Sequence, residues 1–130
     1  HTTFILNTLD YLSRGGRCSA VTAFGANLLS IKPSIEMVDG ALEVGKKYRG
    51  KIETVYGQYI RDQLSDPDKL DLSRAFLSHS GGGISEETLQ AMKKEILRCA
   101  PFQEVQIIRA GCTISAHCGP KTATVMFMEK

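Results

Sequence analysis

Apolar positions repeat with a helical period in a few stretches of this chain and with a strand-like period in most of the rest. Between Gly50 and Leu64, the residues Ile52, Val55, Tyr56, Tyr59 and Ile60 fall at i, i+3, i+4, i+7 and i+8. That spacing lays them along one side of a helix. A second helix is predicted after Ser85. Its hydroxyl suits an N-cap, and Glu86 and Glu87 suit the positive end of the helix dipole. Leu89, Met92, Ile96 and Leu97 share its apolar face, and Pro101 stops it. A third helix is predicted from Ser19, again a good N-cap, to Leu29, with Val21, Phe24 and Leu28 on one side.

Seven extended segments are predicted: Thr3–Asn7, Ile31–Val38, Ala41–Tyr48, Leu72–Ser78, Gln103–Arg109, Cys112–Cys118 and Thr122–Glu129. Asp39-Gly40 is a hairpin signal between two of them. The return strand exposes Lys46, Lys47 and, just beyond it, Arg49, as a solvated or edge strand does. Asp10–Ser13 predicts one helical turn broken by Gly15-Gly16, and Ser65–Lys69 is a loop. Gly81-Gly82-Gly83 reads as a flexible connection. The last three predicted strands follow one another with no helix between them. This order implies an α/β domain of the α+β type in two layers, a mostly antiparallel or mixed sheet with helices mainly on one face. No internal repeat or low-complexity linker divides residues 1–130, so a single domain is expected.

Composition narrows the function classes. The chain's 130 residues can bury one real core. A net charge of +2 is too small a bias to make nucleic acid or an anionic membrane the main partner. No stretch approaches the roughly 18 apolar residues of a membrane span, so stable membrane insertion is not expected. No basic leader precedes an apolar run, so no signal peptide is expected. Strand-like sequence begins almost at once, as in a piece of something longer. Cys18, Cys99, Cys112 and Cys118 form no CxxC pair, and the expectation is reduced thiols in the cytoplasm.

Two segments carry the chemistry. Arg14-Gly15-Gly16-Arg17 lies just before a predicted helix. Glycines let successive N–H groups converge on an anion, a helix start adds more, and arginine adds planar, permanently charged donors. The plain alternative is a glycine turn with two surface arginines. In Thr113–Pro120, strand alternation puts Thr113, Ser115 and His117 on one side, a row of donors, with His117 at the rim before Gly119-Pro120. Its plain alternative is a solvent face with an ordinary histidine. Together the segments imply an anion site built from donors and no carboxylates. A metal is disfavoured. On a strand, His117 and Cys118 point to opposite faces, and Cys112 brings no fourth ligand at zinc spacing. His79 reads as a loop histidine. No nucleophile elbow is present, and the triple glycine lacks the lysine of a P-loop.

These segments, in this order, resemble the C-terminal domain of the bacterial DegV family. The family's Leu-x-Tyr-Leu-x-x-Gly-Gly-Arg segment is matched by Leu9 to Arg17, and its Ile-Lys-Pro strand by Ile31-Lys32-Pro33. The Asp-Gly hairpin is Asp39-Gly40, and the basic stretch is Gly45-Lys46-Lys47-Tyr48-Arg49-Gly50. The closing His-x-Gly-Pro-Gly is His117-Cys118-Gly119-Pro120-Lys121, with lysine in place of the last glycine. If that position needs positive φ, lysine is strained there; it also adds a charge near the anion.

The resemblance implies a six-stranded mixed sheet and a protein about twice this length, whose N-terminal domain, with serine and threonine donors, is absent here. It implies one long-chain fatty acid bound between the domains, with no other cofactor. It also implies a fatty acid kinase catalytic subunit that phosphorylates the bound carboxylate with ATP, this chain being a carrier and not the catalyst. Ligand contact would fall to Arg17, His117, Thr113 and Gly119, and phosphoryl or partner contact to Arg14 and Arg17. The competing reading is a hydrolase or transferase acting on a small phosphorylated or carboxylated substrate, with His117 as general acid or base. Neither key segment holds a carboxylate to orient that histidine. A purely structural domain, with the ligand held by the missing half, is the third reading.

Overall fold

A computed structural model describes residues 3–15 and 31–130. The helix predicted over Ser19–Leu29 lies outside the described residues, as do Gly16, Arg17 and Cys18. Asp39-Gly40 turns the chain between β2 (Ile31–Val38) and β3 (Ala41–Arg49), with φ of 49° and 82°. Two successive positive φ values are what a tight hairpin turn matching the strand twist needs. With β1 (Thr3–Ile5), β4 (Leu70–His79), β5 (Val105–Arg109) and β6 (Ala123–Glu129), the hairpin makes a six-stranded sheet in the order β3-β2-β1-β6-β4-β5. All neighbours are antiparallel except β4 and β5. The sheet is therefore mixed, and β3 is an edge, one of the two places expected of it.

The two long helices are α2 (Ile52–Gln63) and α3 (Glu86–Cys99); a short α1 spans Asp10–Gly15. The predicted stripe of α2 is buried throughout, from Ile52 to Ile60. Ser85 caps α3 by accepting the Thr88 N–H at 3.1 Å. Leu89, Met92 and Ile96 are buried as predicted, but Leu97 is exposed, because it lies a full residue around the helix from Ile96. The stripes pack on Ile5, Ala75, Leu77, Val105, Ala123 and Val125, which fixes the inner face of the sheet. A smaller cluster forms on the other face, where Leu12 of α1 and Cys118 meet Leu6 and Ile35.

The segment predicted as a strand, Cys112–Cys118, is a helix, α4. Its alternating residues fit a strand, but they also pair at i and i+4, and a glycine brackets each end. Gly111 sits at the N-cap with extended geometry, and Gly119 ends the helix at φ 80°. The donor row of Thr113, Ser115 and His117 is therefore not a sheet face. Nor is the triple glycine a loose connection. Gly81, Gly82 and Gly83 all hold positive φ. A Cβ on Gly82 would stand 2.3 Å from Pro120 Cβ, so the two turns are packed together.

Candidate functional site

Among the described residues, α1, from the segment Leu9 to Arg17, meets α4, from the segment Thr113–Pro120. The ring of Tyr11, on α1, lies against Gly119, at the end of α4. A Cβ at Gly119 would fall 2.3 Å from Tyr11 Cδ2. Gly119 has φ 80° and ψ −177°, a region that only glycine occupies freely. Both properties of glycine are in use at once. The same contact sets α1, with Arg14 exposed in its last turn, beside α4, with His117 in its last turn.

His117 is half-buried, and its Nδ1 stands 2.7 Å from the Thr113 carbonyl oxygen one turn earlier. A carbonyl only accepts, so Nδ1 carries the proton and donates. The neutral ring then offers Nε2 as an acceptor, and the imidazolium offers an N–H there. Thr113 thus orients His117 through its backbone, while its own side chain is exposed. The Gly119 N–H donates to the Ser115 carbonyl at 2.9 Å and is not turned to a ligand. Among the described residues, no carboxylate bonds to His117. Cys118 is buried, and burial pushes its thiol up, away from the thiolate. Among the described residues, no group of His, Cys, Asp and Glu could hold a metal ion. None of their helices is long and apolar enough to cross a membrane.

The turn that follows is held from several sides. Thr122 Oγ1 donates to the Cys118 carbonyl at 3.0 Å, and the Lys121 N–H donates to the Gly81 carbonyl at 2.9 Å. From α2, Tyr56 OH donates to the Lys121 carbonyl at 2.6 Å. Lys121, which stands where the family motif has glycine, does hold positive φ, 61°. Its ammonium points toward Glu53 on α2, with Nζ 3.7 Å from the carboxylate. The added charge therefore faces α2.

On the sheet face away from α2 and α3, Phe76 pairs directly with Met126 across β4 and β6, and Ile108 projects the same way from β5. Met126 and Ile108 are 41% and 36% exposed, so this face keeps apolar surface in reach of solvent. Its far side continues through Phe4 to the cluster beneath α1 and α4.

Sequence reasoning passed over Tyr11 and Ser80. Tyr11 stood inside the quoted motif, where only a contact partner could reveal its role. Ser80, before the three glycines, is buried and bonds to the turn from the end of β4. Nothing in its sequence context marks it.

Solved structures share this architecture. A fatty acid-binding DegV family protein of Thermus thermophilus is 28% identical, with a TM-score of 0.71 over 95% of this chain and 43% of its own. The fatty acid kinase B3 protein of Streptococcus pneumoniae, solved loaded with linoleic acid, superposes at TM-score 0.77 over 98% of this chain and 44% of its own. At 20% identity that likeness is one of fold. Among curated relatives, a DegV domain-containing protein of Caldanaerobacter subterraneus is 31% identical over 128 residues, 97% of this chain but 44% of the relative. The chain spans less than half the length of the curated relatives it matches. The sequence profile of the DegV family matches residues 1–130 in full, and the chain belongs to that family.

Proposed function

We propose that this chain forms one half of a site for a single long-chain fatty acid and presents the acyl carboxylate to a kinase partner in the bacterial cytoplasm. The observation that carries the reading is the seat of Tyr11 on Gly119, which brings the arginine-bearing and histidine-bearing segments to one place. A fatty acid needs apolar walls and a few donors at its head. Phe4, Phe76, Ile108 and Met126 are suited to the walls. His117, oriented through Nδ1 with Nε2 left to face a ligand, is suited to the head, with Arg14 and Arg17 toward the phosphoryl group or the docked kinase. The remaining donors would come from an N-terminal half. The fatty acid-binding relative from Thermus supports the ligand class, and the pneumococcal kinase-subunit neighbour supports the kinase partner. The chain itself is a carrier, with the chemistry left to the kinase.

The test is a palmitate titration of the complete polypeptide that contains this chain, with mass spectrometry of its organic extract. A co-purified long-chain fatty acid is expected. His117→Ala is expected to weaken palmitate binding about 10- to 100-fold, the cost of a hydrogen bond to a charged group. Wild-type affinity in that variant would remove His117 from the head site. Turnover of acyl phosphate without the kinase would favour the enzyme reading instead.

A further inference from the structure

We infer that Ser80 is a positioning residue for the ligand head, holding His117 in place through the turn that follows it. The inference rests on the fatty acid reading above. Ser80 is buried, with 7% of its surface exposed, at the point where β4 gives way to the triple glycine. Its hydroxyl donates to the Gly119 carbonyl at 2.6 Å and accepts the Thr122 N–H at 3.1 Å. Its backbone N–H donates to the Thr122 carbonyl at 3.0 Å. One side chain therefore grips the turn on both sides of Pro120 and Lys121.

This grip is placed differently from the turn's other attachments: Tyr56 and Gly81 hold Lys121, whereas Ser80 holds the Gly119 carbonyl. At its near end, Gly119 terminates α4 with a conformation that no side-chain torsion helps to fix. Tyr11 packs against Gly119, and it is itself 38% exposed. The hydroxyl of Ser80 supplies the direction that the ring cannot. It sets the plane of the Gly119 carbonyl, and with it the angle at which the last turn of α4 carries His117. A buried hydroxyl with both donor and acceptor roles satisfied defines a single geometry. Ser80 touches no ligand in this scheme; it acts through Gly119.

A merely structural serine and a positioning serine predict different results in a double-mutant cycle. Palmitate affinity is measured in the complete polypeptide for wild type, Ser80→Ala, Ser80→Cys, Ser80→Thr and His117→Ala, and for Ser80→Ala combined with His117→Ala. Thermal melts confirm that each variant is folded at the assay temperature. Cysteine fills the same space with a poor donor, so it leaves no void even if alanine does. Ser80→Ala and Ser80→Cys are expected to weaken binding about fivefold, with threonine restoring most of it. In the His117→Ala background the serine substitution should cost less than about twofold. An equal loss in both backgrounds, or unchanged affinity in folded Ser80→Cys, overturns the inference while the fatty acid reading stands. Wild-type affinity in His117→Ala removes the head-site reading and this inference with it.

Discussion

The covered face of the sheet and the end that carries the two motifs are joined by different means. Under α2 and α3, Val55, Tyr59, Ile60, Leu77 and Ile96 have essentially no exposed surface. Area removed from water holds that layer together, and its two buried phenols are hydrogen-bonded. Tyr59 OH donates to the Thr3 carbonyl, and Tyr56 OH to that of Lys121. Burial pushes both phenols up, so both remain donors. At the motif end a smaller apolar cluster is buried around Leu6, Leu12, Ile35 and Cys118, and the fit above it depends on missing atoms: Gly119 admits the Tyr11 ring, and Gly82 admits Pro120. The first kind of joint tolerates small rearrangements. The second has no slack, because a single methyl group occupies the space of the neighbour.

The largest separation between the two regions should come from one truncation in each. Leu77→Ala, in the covered layer, is expected to cost about 2–5 kcal/mol of stability. It should leave palmitate affinity unchanged under conditions where the protein is still folded. Gly119→Ala combines a steric overlap with a backbone region that costs about 1–3 kcal/mol for other residues. It should lower the melting temperature and also weaken palmitate binding, and Tyr11→Ala in the same chain should restore part of the stability. Chemical denaturation and titration on the same samples check both. If Gly119→Ala alters stability alone, the motif end is only a scaffold.

A smaller effect of opposite sign is expected at Lys121. Its positive φ strains any residue with a Cβ, so Lys121→Gly should stabilise by about 1 kcal/mol. The exposed contact to Glu53 gives little back. Urea midpoints would show it, and a destabilised variant would mean that the lysine stem packs more than it strains.

The smallest effect is one of pH. His79 Nδ1 accepts the Gly81 N–H at 3.1 Å, and burial, then the charge of Arg109, hold the ring below its usual range. Glu86 acts weakly the other way. The folded state therefore binds this proton less readily than the unfolded chain. The stability it contributes is complete above the unfolded value of about 6.5 and is lost as pH falls through the folded one. His79→Asn keeps an acceptor without titrating there. It should flatten the fall in stability between about pH 7 and about pH 5. Identical slopes would show that His79 gives the motif end no pH dependence.

The covered layer was the legible part of the sequence. A helical stripe such as Ile52 to Ile60 is a repeated signal, and a hairpin such as Asp39-Gly40 is a local one. The motif end is written in contacts between residues far apart in the chain. Tyr11 and Gly119 lie on different elements, and Ser80 reaches Gly119 across 39 positions. Pattern alone cannot register such pairs. The segment Cys112–Cys118 failed for a related reason. Over 7 residues, Thr, Ile and Ser satisfy a period of two as easily as a helical one. The flanking glycines, one before α4 and one after it, were the better guide. The glycine motifs did mark two close contacts, Tyr11 on Gly119 and Pro120 on Gly82, because close approach is the one long-range contact that a sequence marks directly. They could not show which side chain closes on them.

The place of β6 has a consequence for how the molecule comes together during synthesis. It is the final strand of the sheet, yet it stands in the middle, between β1 and β4. The β2–β3 hairpin and the β4–α3–β5 crossover can each assemble from neighbouring sequence. They form one sheet only when the last strand is threaded between them. Such late, non-local closure slows folding and leaves two half-sheets with open edges until β6 has been made and can pair with both. The turn from Gly119 to Thr122 leads straight into β6, so the seat of Tyr11 on Gly119 takes its shape in that same final step.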